Sequence, residues 1–299
     1  MSIRATTIAV TIALTSAGGF AAPAFGAAAD PAAATAAKAE CVWRVGDSLV
    51  ASSIFKRQLM PRLPGWSDIN DGLGSQTSTE VAGRVGARKV TVSVPGNELP
   101  GTGRPVPVTS IDPPILTSVV RPNSIKGKIG AIDVKLLWDG EAYSILPLVP
   151  LETDAPLTIP ANAEFRPQPR PGRENCTVLI WMGRNNLGQT DTILADIASV
   201  VALARSGGQP FLIISVTNGE GEGTGTSGYA AAVRLNTALA KIYGDHFVDV
   251  RARLVAADPA SNGTVTKTFR GVDRIHLNDA GNAIAAEAVA DAILSGKAR

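Results

Sequence analysis

Several residue types are scarce in this chain, and each scarcity excludes something. Among 299 residues there are two histidines and two cysteines, aromatic side chains make up 5%, and 28 Lys+Arg nearly balance 26 Asp+Glu. No basic run appears and few rings are available for bases to stack on, so nucleic acid is not an expected partner. Cys41, Cys176, His246 and His276 are spaced unlike any zinc site, so neither a metal nor another cofactor is expected. Thr6 to Leu14 is a short apolar run followed by glycine-broken sequence. It is too short for a good membrane span, so no stable membrane insertion is expected.

That N-terminal segment reads instead as an export signal over residues 1–28. Arg4 supplies the positive start, and Ala22-Pro23-Ala24 and Gly26-Ala27-Ala28 offer small residues for cleavage. An uncleaved anchor is the alternative. Residues 29–40 form an Ala/Pro-rich tether, and the expected destination is secreted or periplasmic. In such a compartment an isolated cysteine pair is a candidate disulfide. Cys41 and Cys176 each immediately precede an apolar strand, Val42 to Val45 and Thr177 to Met182. If those strands are parallel neighbours, both cysteines lie at the same end of the sheet; two buried thiols are the alternative.

The chain is organised around Cys41 to Leu49, an apolar strand ending abruptly in Gly46-Asp47-Ser48. Glycine permits a tight turn, and Asp and Ser open helices, so the spacing predicts strand, sharp turn, helix. Ser48 then sits with its N–H at a helix N-terminus, a place suited to a nucleophile. A helix is expected over Leu49 to Leu63, a short strand over Trp66 to Ile69, a glycine-rich turn over Asn70 to Ser78 and a helix over Thr79 to Val85. Residues 87–172 change character. They are rich in proline and show period-two alternation, and Asp139-Gly140 separates two strand-like runs as in a hairpin. This predicts an inserted β-rich domain of roughly 85 residues between a first part, 41–86, and a second part, 173–299. In the second part strands recur at Val178 to Met182, Phe211 to Val216 and Phe247 to Val250. Helices are expected over Thr190 to Arg205, Tyr229 to Tyr243 and Asp279 to Leu294. Strands alternating with helices imply an α/β fold with a parallel sheet covered on both faces.

His246 lies between a helix and a strand, at the end of the sheet opposite Ser48, and reads as a surface or packing residue. His276 follows Asp273 by three residues on a turn, which can set a carboxylate against the imidazole as an acid–base pair needs.

These segments together resemble the SGNH (GDSL-type) hydrolase family. Gly46-Asp47-Ser48-Leu49 is similar to its nucleophile block, Asn70 to Ser78 to its glycine block, Gly183-Arg184-Asn185-Asn186 to its Gly-x-Asn-Asp block, and Asp273 to His276 to its terminal Asp-x-x-His. The resemblance covers about 41–86 and 173–299 and implies a three-layer, flavodoxin-like α/β/α fold. It implies that Ser48 attacks an ester carbonyl, His276 moves the proton and Asp273 orients His276. The implied oxyanion hole combines the Ser48 N–H, a backbone N–H of Gly74 or Ser75, and the Asn185 amide. The family's glycine falls on Ser75, and Asn186 replaces the usual aspartate. The expected function is a secreted serine esterase that removes a short acyl group, acetyl first, from a small-molecule or polysaccharide ester. A lipase or lysophospholipase, an acyltransferase using the same site and a non-catalytic carbohydrate- or envelope-binding module are the alternatives. From the parallel topology, both junctions of the inserted domain are expected away from Ser48, making it a targeting or polymer-holding module.

Overall fold

A computed structural model describes residues 40–298, apart from 102, 120 and 149–155. The export signal and all but the last residue of the tether lie outside the described residues. In chain order the first elements are β1 (Cys41–Gly46), α1 (Ser48–Ala51), α2 (Ser53–Leu59), β2 (Ser67–Gly72) and α3 (Ser78–Arg84). Then come β3 (Val90–Ser93), β4 (Glu98–Leu99), β5 (Val106–Pro107), β6 (Ser110–Asp112), β7 (Asn123–Ile129), β8 (Ile132–Trp138), β9 (Tyr143–Pro147), β10 (Leu157–Thr158) and β11 (Ala163–Pro167). The chain closes with β12 (Thr177–Trp181), α4 (Thr190–Ser206), β13 (Phe211–Ile214), α5 (Ser227–Tyr243), β14 (Phe247–Val248), α6 (Val250–Ala256) and α7 (Asp279–Leu294).

Five strands form one parallel sheet in the order β14-β13-β12-β1-β2. Numbered among themselves, they run 2-1-3-4-5, the flavodoxin-like order, whose direction reverses between β1 and β12. Alternation along β1 sends Val42 to one face, where α1, α2, α6 and α7 pack, and Trp43 and Val45 to the other, under α3, α4 and α5. The result is three layers. Cys41 and Cys176 meet at the start of the neighbouring strands β1 and β12 in a disulfide with Cα atoms 4.6 Å apart.

The expected helix over Leu49 to Leu63 is broken. Ser52 leaves helical geometry and caps α2, its hydroxyl accepting the Phe55 N–H at 3.2 Å. A buried arginine stabilises the break. Arg44 points from β1 into the core, pairs with Asp68 of β2 at 2.6 and 3.0 Å, and donates to the carbonyls of Val50 and Ser52. β2 is longer than expected because it pairs with β1 along its whole length. Helix α6, which the sequence reading missed, packs Val250 and Leu254 into the core.

The segment between Val90 and Pro167 forms a seven-stranded antiparallel sheet, β5-β9-β8-β7-β11-β3-β6, with β4 and β10 as a separate pair. The Asp139-Gly140 turn joins β8 to β9 as its sequence predicts, with Trp138 opposite Tyr143. The return junction does lie away from Ser48, since β12 starts level with Val42. The sheet nevertheless folds back to meet the glycine-rich loop. Its core accepts Leu73 of the glycine-rich loop. Tyr143 Oη accepts from the Ile115 and Leu116 N–H groups, and the Ile115 carbonyl takes the buried Gln76 amide at 2.6 Å.

Candidate active site

Ser48 and Asn185 follow the ends of β1 and β12, beside the switch point of the sheet, the usual ligand crevice of such folds, and His276 lies near enough for its charge to act on Asp47. Gly46 makes the first turn possible. Its φ is +155°, and a Cβ there would stand 1.8 Å from the Trp181 carbonyl oxygen. The Asp47 N–H donates to that same oxygen at 3.2 Å. The buried Asp47 carboxylate accepts the Leu49 N–H at 3.0 Å, capping α1, and reaches across to the Arg184 N–H at 3.3 Å. One carboxylate therefore ties the serine turn to the turn after β12. Burial pushes its pKa up to about 6, against the pull of those two N–H groups and of the charges on His276 and Arg184. Ser48 is half-buried and opens a helix of four residues, so the helix dipole behind its N–H is that of a single turn.

The glycine-rich loop closes the other side of Ser48. The Leu73 N–H donates to the Gly46 carbonyl at 3.1 Å, and a Cβ built on Gly74 would meet only Ser48 Cβ, at 3.8 Å. Ser75 has φ +67°, the left-handed conformation that glycine adopts freely and serine holds at a cost. Gln76 anchors the loop from within. Its carbonyl accepts the Asn185 amide at 2.9 Å and its side-chain oxygen accepts Arg84 Nε at 2.7 Å. Asn186 does the same one turn further on, accepting the Ser78 N–H at 3.1 Å and donating to Ser78 Oγ at 3.0 Å.

Asp273 and His276 form the pair that their spacing predicts. His276 Nδ1 lies 2.7 Å from Asp273 Oδ2, and Asp273 Oδ1 accepts the N–H groups of Ile275 and His276 at 3.0 and 2.9 Å. Arg274, at φ +67°, turns the chain between them. Burial works to raise the Asp273 pKa, but those two N–H groups and the imidazole outweigh it and bring it down to about 2. The carboxylate is thus ionised at every working pH and favours a proton on Nδ1. His276 Nε2 is shielded from solvent and hydrogen-bonds to nothing.

No protein-family model and no curated protein matches this sequence. Solved structures of similar shape exist. A GDSL-like lipase from Bacteroides thetaiotaomicron is 14% identical, with 86% of this chain and 89% of that chain covered and a TM-score of 0.44. A member of the lipolytic G-D-S-L family from Veillonella parvula is 10% identical over 85% of this chain and 97% of that one, TM-score 0.47. An acetyl xylan esterase is 12% identical over 85% and 99%, TM-score 0.47.

Two ion pairs that sequence reading did not anticipate brace the site. Arg184 pairs with Glu222 at 2.7 Å and Arg274 with Glu220 at 2.8 Å, so the loop after β13 grips both the Asn185 turn and the His276 turn. Neither those glutamates nor Gln76 carries a local sequence signal, because their partners are distant in the chain. His246 lies elsewhere: its ring stacks on Phe211 at 4.3 Å, at the start of β13, away from Ser48. Among the described residues no cluster of His, Cys, Asp or Glu could hold a metal ion.

Proposed function

We propose that this chain is an exported serine ester hydrolase of the SGNH type that removes short acyl groups, acetyl first, from a carbohydrate. The observation that carries the reading is the oriented imidazole. Asp273 holds His276 Nδ1, Nε2 makes no hydrogen bond, to Ser48 or to any other group, and the imidazole lies close enough for its charge to act on Asp47, the residue before Ser48. In the proposed reaction Ser48 Oγ attacks the ester carbonyl while His276 Nε2 takes its proton. The same proton then passes to the leaving alcohol, and water, activated by His276, releases the acid from the acyl-serine. The N–H of Ser48, the N–H of Gly74 or Ser75 and the Asn185 amide receive the charge that develops on the carbonyl oxygen, each worth about 3–4 kcal/mol by analogy with measured oxyanion donors. Asn185 already uses one amide hydrogen on Gln76, which fixes its orientation and leaves the second for substrate. The Cys41–Cys176 disulfide supports an oxidising destination. Among the described residues no helix is long and apolar enough to cross a membrane. The loop that faces Ser48 carries the small residues Gly74 and Ser75, which favours a short acyl group over a long chain.

The test is hydrolysis of p-nitrophenyl esters of increasing chain length, beside acetylated xylan, peptidoglycan and pectin. Ser48→Ala and His276→Ala should each abolish turnover with unchanged melting, whereas His246→Ala should keep it. Equal losses from the two histidines would undo the assignment, and a preference for long chains would replace the acetyl reading with a lipase.

A further inference from the structure

Behind the glycine-rich loop, between the parallel sheet and the antiparallel one, lies a cavity of about 520 Å³. Neither Ser48, Asp273 nor His276 lines it. Its wall carries five cations, Arg84, Lys126, Lys135, Arg170 and Arg173, against one carboxylate, Asp71. That carboxylate is already engaged, by Arg84 at 2.6 Å, Arg170 at 3.2 Å and the Trp43 indole N–H at 3.3 Å. Arg173 is committed too, lying over the Trp43 ring. Lys126 and Lys135 are different. They are directly opposite each other on β7 and β8, and among the described residues no carboxylate pairs with either. Like charges directly opposite in a sheet are unfavourable. Two residues along the same strands, Lys128 does face an acid, Asp133, at 2.8 Å. The whole chain is only +2, so this concentration of positive charge is local. Asn123, Ser124 and Gln168 add neutral hydrogen-bonding groups to the same wall.

We infer that this cavity binds a polyanionic polymer through acidic groups repeated along its length, and that Lys126 and Lys135, which have no carboxylate partner among the described residues, are its main contacts. The placement gives the site a purpose. Leu73 lines the cavity and its N–H holds the Gly46 carbonyl, while the next residue, Gly74, faces Ser48. The cavity and the serine therefore flank one short loop, and a chain held in the first is kept beside the second. Identifying the bound polymer with the acyl-bearing substrate rests on the proposed esterase function; the binding site itself does not.

The experiment keeps the two apart by measuring binding with the Ser48→Ala protein, where no turnover can interfere. The probes are polygalacturonate, which carries carboxylates, linear polyphosphate, and neutral dextran. Binding of at least one polyanion that weakens with added salt, and none of dextran, is expected. The Lys126→Gln/Lys135→Gln variant should lose about tenfold in affinity, as expected for two partly exposed charge contacts. Its melting temperature should be no lower than the parent's, because the opposed charges are gone, and in the Ser48 background its turnover of p-nitrophenyl acetate should be unchanged. Whichever polyanion the substitution affects identifies carboxylate or phosphate as the ligand chemistry. Equal binding by parent and variant, or equal binding of dextran, would overturn the inference. Loss of polyanion binding in the variant, in a protein that hydrolyses no ester, would leave the cavity standing and remove the esterase reading alone.

Discussion

Asp47 offers the sharpest physical test, because its buried carboxylate opposes folding at neutral pH. Its pKa rises from 3.8 to about 6 in the folded chain, mainly through burial. Well below 3.8 the group is protonated whether the chain is folded or not, and it contributes no pH-dependent difference. As pH rises only the unfolded chain ionises freely, so stability is lost until the folded group ionises too. With ordinary linkage the cost is about 0.5 kcal/mol near pH 4 and about 3 kcal/mol near pH 7. Asp47→Asn removes the titrating group. It keeps an oxygen for the Leu49 N–H and loses the acceptor for Arg184, a penalty that does not vary with pH. Urea unfolding of both proteins between about pH 4 and pH 7 should therefore show the variant gaining about 2–3 kcal/mol relative to wild type as pH rises. Titration of every other carboxylate cancels in the difference. A flat difference, or one that changes in the opposite direction, would mean that burial does not govern Asp47.

Two further outcomes follow from the covalent and backbone geometry. The Cys41–Cys176 bridge spans 135 residues, and the chain-entropy model assigns such a loop about 5 kcal/mol, so Cys41→Ala/Cys176→Ala should lower urea stability by several kcal/mol. A loss under about 1 kcal/mol would contradict that account, and two free thiols on titrating the denatured, unreduced protein would contradict the bridge. Ser75→Gly should leave stability within about 0.5 kcal/mol, since relieved left-handed strain is offset by a freer unfolded chain, and should retain turnover because the proposed donor is a main-chain N–H. Ser75→Val should cost about 1–2 kcal/mol and slow p-nitrophenyl acetate hydrolysis at least about tenfold. Full activity in the valine variant would remove this loop from the oxyanion site.

What the sequence determined by itself was local or written in short blocks. Strand periodicity, the Gly46 turn, the Asp139-Gly140 hairpin and the Asp273–His276 pair all depend on residues within a few positions of one another, and the structure reproduces each. The Cys41–Cys176 pairing was legible for a different reason: each cysteine begins a strand, and parallel neighbours bring strand starts together. Tertiary structure decided what depends on groups far apart in the chain. A buried arginine is invisible in an apolar strand until Asp68 is placed beside Arg44, 24 residues later. Those contacts stabilise the helix break at Ser52 that periodicity could not predict. Likewise, topology placed the return junction of the antiparallel sheet away from Ser48, yet it did not decide the fold-back that sets Ile115 against Gln76. That contact follows from the Gln76 side-chain amide finding a buried backbone carbonyl 39 positions away. The same packing sets Lys126 and Lys135 on one side of a cavity and Asp71 on the other, and no local pattern in the sequence holds that arrangement.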